Sequence, residues 1–402
     1  MKTYITQDIL YIGTDDCQLD LFENQYITPE GMAYNSYLIK DEKTAIMDTS
    51  DPRTAREWME HLEEALEERQ PDYLIVHHME PDHSSLIADI LQKYPDLKIV
   101  ASKAGVRMIT QFFEDIPLEN RTIEVKDNEE LLLGKHCLRF FMTPMIHWPE
   151  VMMSYDSEDH ILFSADAFGK FGALSQTGGL FCTPETDWAC EARRYYFNIC
   201  GKYGVSVQNA MKKIKTNADV HTICPLHGPV IQETLATQWN LYDIWSQYKV
   251  ETPGIFIAYA SIHGNTRKAA LALAEMLEEK GCPKVAISDL CRSDMAENIE
   301  DAFRYGTIVL AASSYDNVVF PPMHDFLWHL QIKGWQKRKV AIIENGSWAP
   351  SAGKTMKEML QHMKNITLIE PVITLTSSLK QADRTLLDTL AQHLMEDSSD
   401  NR

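Results

Sequence analysis

No Cys-x-x-Cys pair occurs anywhere in the 402 residues. The eight cysteines, Cys17, Cys137, Cys182, Cys190, Cys200, Cys224, Cys282 and Cys291, are scattered singly. They encode neither an iron–sulfur cluster nor a rubredoxin-type centre, so electrons for any redox chemistry must come from a separate protein. Reduced thiols are the expectation. No apolar run approaches the ~20 residues that a membrane helix needs. Met1-Lys2-Thr3-Tyr4 lacks the apolar core of a signal peptide, so a cytoplasmic protein with no membrane partner is expected. Basic residues are in deficit, 38 against 58 acidic for a net charge of −20, which argues against a nucleic-acid partner. The deficit is uneven. Residues 251–402 hold 16 basic and 19 acidic residues, whereas the 250 before them hold 22 and 39. That contrast, with a length ample for two cores, divides the chain into domains at 1–250 and 251–402. Lys249-Val250-Glu251-Thr252-Pro253-Gly254 is the expected linker, polar and punctuated by Pro and Gly.

What is present is concentrated first in Tyr73-Leu74-Ile75-Val76-His77-His78-Met79-Glu80-Pro81-Asp82-His83-Ser84-Ser85. The apolar start reads as a buried strand. Pro81 is expected to keep the segment out of both sheet and helix. Ser84 is expected to cap a helix from Leu86 to Tyr94. His78, Glu80, Asp82 and His83 then project from a loop at a strand end, and such groups are ligands for Zn, Fe or Mn. A solvated polar loop is the plain alternative. The stretch resembles His-x-[His/Glu]-x-Asp-His, the metal signature of the metallo-β-lactamase fold. Zinc hydrolases of that fold carry His at the third position. This chain carries Glu80, a harder and anionic ligand that favours iron over zinc.

Three later points repeat the design of an apolar strand, one ligand at its end, and turn residues. His147 lies in Thr143-Pro144-Met145-Ile146-His147-Trp148-Pro149-Glu150, Asp166 follows Ile161-Leu162-Phe163, and His227 follows Thr222-Ile223-Cys224. Strands are predicted at Leu10 to Gly13, Met32 to Lys40, Thr44 to Asp48 and Leu97 to Ala101. Helices are predicted from Asp51-Pro52 through Leu66 and over Lys103 to Phe113, with paired strands between Thr122 and Thr143. This mixture suits a four-layered αββα sandwich.

The stretches Asp20-Leu21-Phe22-Glu23, Tyr34-Asn35-Ser36-Tyr37-Leu38-Ile39, His78 to Ser84, His147-Trp148-Pro149-Glu150, Asp166-Ala167-Phe168-Gly169 and Pro225-Leu226-His227-Gly228-Pro229 resemble the flavodiiron proteins, or A-type flavoproteins. The resemblance covers essentially the whole chain. It implies two irons. One would take His78, Glu80 and His147, the other Asp82, His83 and His227, with Asp166 bridging them. Tyr26 and Trp148 are candidates for lining the substrate pocket. His77 is expected to be structural and to face the other side of the sheet.

In the second domain, Ile255 to Tyr259 is an apolar strand that runs into Ala260-Ser261-Ile262-His263-Gly264-Asn265-Thr266 and then a helix with Ala269, Ala270, Leu273 and Met276 on its apolar face. Small and hydroxylated residues there let backbone N–H groups approach a phosphate. The pattern resembles the phosphate loop of flavodoxins and lacks the lysine of a P-loop. Ile308 to Ala312 ends in Ser313-Ser314-Tyr315-Asp316-Asn317. Val340 to Ile343 ends in Glu344-Asn345-Gly346-Ser347-Trp348-Ala349-Pro350. Ligands of open α/β sheets bind beyond such strand ends. Ser261 to Thr266, Ser313 to Asn317 and Asn345 to Ala349 are therefore the predicted cofactor cradle of a doubly wound parallel sheet. The resemblance implies FMN, with Trp348 beside its ring system. A polar tail is expected over Glu396 to Arg402.

Two ferrous ions and reduced FMN can supply four electrons, enough to take O2 to water, and two suffice to couple two NO into N2O. The resemblance therefore implies an O2 and/or NO reductase with rubredoxin, or a flavin- or deazaflavin-dependent protein, as donor. The alternatives are a zinc-dependent hydrolase of the metallo-β-lactamase fold with a regulatory flavodoxin-like domain, and a flavodoxin-like electron carrier with a degenerate metal domain. A head-to-tail homodimer, or a dimer of dimers, would let each flavin serve the partner's irons. Lys333, Lys337, Arg338 and Lys339 are expected on a solvated face away from the flavin. Arg267, Lys268, Lys354 and Lys357 are better placed to attract an acidic carrier.

Overall fold

The computed structural model describes residues 3–114, 116 and 118–399. The first two residues of the N-terminal stretch and the last three of the predicted tail lie outside the described residues. The chain divides into two compact units, Met1–Asp243 and Ile244–Arg402, a division that falls within the helix Leu235–Ser246. No helix among the described residues is long and apolar enough to cross a membrane.

The first unit is built on two seven-stranded sheets. In one, the order is Thr3–Tyr4, Ile9–Tyr11, Tyr37–Lys40, Thr44–Met47, Tyr73–Val76, Lys98–Ser102, Thr122–Val125. It is antiparallel over the first four strands and parallel from Thr44–Met47 onward. The other runs Glu130–Leu132, Cys137–Met142, Met152–Asp156, Ile161–Phe163, Thr222–Cys224, Val230–Ile231, Phe181–Cys182. Side-chain alternation along the strands explains the layering. Leu38, Ile46, Leu74 and Ile99 pack with Trp58 and Leu62 of the helix Ala55–Leu66 and with Ile87 and Ile109. Their neighbours Ile39, Met47, Ile75 and Val100 instead meet Phe140, Met152, Ile161 and Phe163 of the second sheet. Trp58, Leu62, Ala65 and Leu66 form the buried stripe of their helix at 3.6-residue spacing. Each large member contributes roughly 1.5–3 kcal/mol by leaving water. The four-layered expectation therefore holds for this unit.

Local detail departs from the sequence reading at Pro81. It opens a short helix, Pro81–Ser84, where its missing N–H and fixed φ suit the first helical position. Ser84 consequently caps nothing downstream. Its hydroxyl donates to the Met79 carbonyl at 2.8 Å, and the next helix, Ile87–Lys93, starts after Leu86 without a side-chain cap. Asp51 does open the chain's first helical segment, its carboxylate accepting from the Arg53 amide.

The second unit is a parallel sheet in the order Val285–Asp289, Thr252–Ala260, Tyr305–Tyr315, Gln336–Asn345, Lys364–Leu375, the flavodoxin-like order 2-1-3-4-5. Helices Asn265–Glu279 and Gln381–Ser399 cover one face. Thr252, Pro253 and Gly254, read as linker, open the first strand. The strand read as ending at Ala312 continues to Tyr315. It turns at Asp316 and Asn317, both at positive φ, and pairs back with Val318–Val319. Two consecutive left-handed residues are what a tight hairpin needs, and Asp and Asn tolerate that region. Arg338 is buried, contrary to its expected solvated face. Its guanidinium donates to the carbonyls of Tyr248, Gln336, Lys337 and Phe303.

Candidate functional site

Four segments bring seven predicted ligands together in the first unit. His78, Glu80, Asp82 and His83 follow the strand Tyr73–Val76, and His147 sits in the loop between Cys137–Met142 and Met152–Asp156. Asp166 follows Ile161–Phe163, and His227 follows Thr222–Cys224. They fall into two sets. His78, Glu80, His147 and Asp166 offer ligand atoms within 4.8 Å of one another, and so do Asp82, His83 and His227. Asp166 faces both sets with different oxygens. Its Oδ2 lies 3.2 Å from His147 Nε2 and 3.6 Å from His78 Nε2, while its Oδ1 lies 3.5 Å from His83 Nε2 and 3.8 Å from His227 Nε2. Glu80 reaches His147 Nε2 at 2.9 Å and His78 Nε2 at 3.3 Å. Asp82 lies 3.4 Å from both His83 and His227.

The imidazoles are held from behind. His78 Nδ1 is 2.8 Å from Glu150 Oε1, which also accepts from the Met79 amide at 2.9 Å. His227 Nδ1 is 2.7 Å from the Ala33 carbonyl. Carbonyl and carboxylate only accept, so Nδ1 of each ring carries the hydrogen and Nε2 is left to face inward. Asn35 anchors the loop of His227, donating to the carbonyls of Pro225 and Gly228. Gly228 needs its lack of side chain, since its φ is +75° and a Cβ would meet Lys170 Cγ at 2.5 Å. His77 is structural. It lies between Asp48, at 2.5 Å, and Ser154, at 2.7 Å.

These groups fit a pair of cations. Both oxygens of Asp82 and of Asp166, and Nδ1 of His83, are buried without a hydrogen-bond partner among the described residues. Unpaired buried carboxylates are costly unless something charged completes them. Burial alone would raise the Asp166 carboxyl, but the imidazoles of His78, His147, His83 and His227 hold it well below the usual carboxylate range. Glu80, against the same burial, is held low by His147 and His78. His147 is pushed up to about 9, burial opposing and Asp166 and Glu80 prevailing. Cations held between these groups would supply the positive charge that the carboxylates call for.

Trp148 stands edge-on to His78, with ring centroids 5.3 Å apart, and near His147 at 6.1 Å. Tyr26 packs on Phe171, 6.0 Å away, and donates to the Asn198 carbonyl at 3.2 Å. The rings of Phe22, Tyr34 and Tyr195 line the His227 side at 5.4, 5.9 and 5.6 Å. None was singled out from sequence, although Phe22 and Tyr34 fall inside quoted motifs. Tyr195 had no local signal, and its buried hydroxyl has no hydrogen-bond partner among the described residues.

In the second unit, a cavity of about 470 Å³ opens beyond three strand ends. Every predicted cradle residue lines it except Gly264, and Ser351 and Ser377 join them. Gly264 acts through its backbone, capping the helix Asn265–Glu279 at φ +83°. Its amide donates to Ser261 Oγ, and the hydroxyls of Thr266 and Ser313 meet at 2.9 Å. A helix N-terminus, neutral hydroxyls and amides suit a phosphate without a cationic side chain. Asn345 and Ser377 clasp each other by two hydrogen bonds. Trp348 is 90% exposed, an unusual position for an indole that stacks on no ring among the described residues.

Residues 32–228 match the family model described as ODP family beta lactamase, a span that contains all seven predicted ligands. The chain is 29% identical over 370 residues to an uncharacterized protein of Methanocaldococcus jannaschii, covering 90% of each. It is 28% identical over 368 residues to the anaerobic nitric oxide reductase flavorubredoxin of Citrobacter koseri, covering 90% of this chain and 75% of that one. Among solved structures, the rubredoxin oxygen:oxidoreductase from Desulfovibrio gigas superposes with a TM-score of 0.93 at 23% identity, covering 100% and 99% of the two chains. The flavodiiron protein from Giardia intestinalis gives 0.90 at 22%, covering 100% and 98%. With its αββα sandwich and its flavodoxin-like second unit, the chain has the fold of the flavodiiron proteins.

Proposed function

We propose that the protein is a flavodiiron oxidoreductase that reduces O2 to water, NO to N2O, or both. His78, Glu80 and His147 would hold one iron, Asp82, His83 and His227 the other, and Asp166 would join them. The observation that carries the reading is the division of Asp166, one oxygen toward each set. When bound, two irons and FMN supply the four electrons that O2 needs, or the two that a pair of NO molecules needs.

The chain's own groups do the rest. Three carboxylates would offset most of the charge of two divalent ions, and four imidazoles would supply the remaining protein ligands. Glu150 and the Ala33 carbonyl fix the tautomers of His78 and His227. Trp148, Phe22, Tyr34 and Tyr195 wall the site with rings, limiting water. The loops at Ser261, Ser313 and Asn345 would bind FMN by its phosphate and ring edges, with Trp348 covering the flavin face. The names of the relatives support a gas substrate and a rubredoxin-type donor. The domain limits 1–250 and 251–402, the head-to-tail homodimer and a cytoplasmic location belong to the same proposal.

The test is anaerobic stopped-flow of reduced, iron- and FMN-loaded protein mixed separately with O2 and NO. Rapid reoxidation by either gas, with about two irons per chain by elemental analysis, supports the reading. Near-stoichiometric zinc and no gas consumption would reject it.

A further inference from the structure

The parallel strands Ile161–Phe163 and Thr222–Cys224 are neighbours, with Ile161 opposite Thr222. Their C-terminal ends lead to Asp166 and His227. The residues just before them are His160 and His221, so the same two strands carry a second pair of chemistry-bearing groups at their other end. The His221 amide donates to the His160 carbonyl at 2.9 Å, which fixes the two residues side by side. Their rings lie 4.5 Å apart, inclined at 26°. The histidine pairs of the buried centre show similar separations, 4.6 Å for His83 and His227 and 5.1 Å for His78 and His147. Asp219 completes the group. Its Oδ2 is 3.3 Å from His221 Nε2. One ligand atom from each of the three lies within 4.8 Å of the others.

The tautomer of His160 is set as a ligand requires. Its Nδ1 is 2.9 Å from the Tyr155 hydroxyl and 3.0 Å from the Asp219 carbonyl, and that hydroxyl donates to the same carbonyl at 2.9 Å. A carbonyl has no hydrogen to give, so Nδ1 carries one and Nε2 presents the lone pair. An imidazole anchored through Nδ1–H to a carbonyl is the usual arrangement behind a metal-bound Nε2. All three side chains reach solvent, at 39%, 61% and 76% exposure for His160, His221 and Asp219, so an ion can enter and keep water in its remaining positions.

A second outlying group does not qualify. His136, Asp156 and Asp159 also cluster, but His136 already pairs with Asp156 at 3.0 Å, and Asp156 accepts from the Asp159 amide. Asp8, on the other side of His136, is neutralised by Lys135 at 2.7 Å. The carboxylates of that group are already engaged by protein partners.

We propose that His160, His221 and Asp219 form a surface site for a single borderline divalent transition ion, of the class Zn2+, Ni2+ or Cu2+. Two imidazoles and one carboxylate select that class over Mg2+ or Ca2+, which favour all-oxygen sites. The excess of acidic residues in the first 250 positions draws cations toward it. The site is independent of the gas-reductase reading.

The test titrates the iron- and FMN-loaded protein with Zn2+ alone by calorimetry, beside His221→Ala and His160→Asn. Asn accepts the left-handed backbone of His160, φ +56°, so that variant keeps its turn. One Zn2+ per chain is expected in the wild type, weakened at least about tenfold in each variant, as loss of a ligand or of its orientation produces. With Cu2+ as the probe, electron paramagnetic resonance should show two coupled nitrogens in the wild type and one in either variant. Wild-type affinity retained by both variants, or no zinc uptake by the wild type, would overturn the assignment.

Discussion

Glu150 grips His78 from the side away from Glu80, His147 and Asp166, with 2.8 Å between Oε1 and Nδ1, and holds the Met79 amide with the same oxygen. One carboxylate thus sets both the tautomer of a ligand and the path of the backbone beside it. Glu150→Ala should weaken iron retention about 10–100-fold against a competing chelator, and Glu150→Gln, which keeps an accepting oxygen, much less. Equal retention by Glu150→Ala and wild type would remove Glu150 from the design.

Asp166 is the only described side chain placed between both ligand sets. Asp166→Asn preserves volume but removes one anionic oxygen. Elemental analysis should show iron falling from about two per chain toward one, with circular dichroism unchanged. Two irons retained would mean that the sets are self-sufficient.

Gly346 has no room for a side chain, since a Cβ would sit 2.8 Å from Pro350 Cα and 3.1 Å from its nitrogen. Gly346→Ala must therefore displace the loop that carries Ser347 and Trp348. FMN affinity, followed by fluorescence on titrating flavin-free protein, should fall about tenfold or more, of order 1.4 kcal/mol. Iron content should not change.

Arg338 is buried among carbonyls, and burial lowers its guanidinium to about 10. Arg338→Met leaves those carbonyls unmatched and should cost about 1–3 kcal/mol in denaturant unfolding of the second unit. Lys337→Met, at an exposed neighbour, should stay within about 0.5 kcal/mol. Similar values for the two would return Arg338 to the solvated face first expected of it.

The proposed head-to-tail dimer is open to complementation. Asp166→Ala with His147→Ala disables one site, and Gly264→Asp with Thr266→Glu the other. Each variant alone should be inactive, and heterodimers carrying both should regain about half of the wild-type rate. No recovery in heterodimers loaded with iron and FMN would mean that electrons stay within one chain.

The clustering of the seven histidines and carboxylates was legible because each segment that carries them follows a short apolar strand and contains Pro, Gly or small residues, a pattern that survives without knowing the fold. The cavity residues of the second unit were legible for the same reason. Supports that act across the sheets were not. Tyr195 belongs to the helix Trp188–Ile199, in which nine of twelve residues are buried. A helix enclosed on most sides shows no clean amphipathic period, and it was not predicted. The helices Gly204–Asn217 and Leu235–Ser246 were missed as well. Pro81 was misread because proline excludes a helix interior but favours its first position, and sequence alone did not say which applied. Arg338 was misread because charge predicts exposure only until enough carbonyls converge on it.

The four ligand segments imply an order of assembly. His78 and His227 are separated by about 150 positions, and closing a loop of that length is favourable only when strand pairing and core burial accompany it. Two ions offer too few bonds to draw such distant segments together from a disordered chain, unlike the compact ligand clusters of small metal-nucleated modules. On the proposed reading the scaffold would therefore form first, and iron would enter a finished site. On that reading, a cell short of iron would accumulate folded, unmetallated chains ready for later loading.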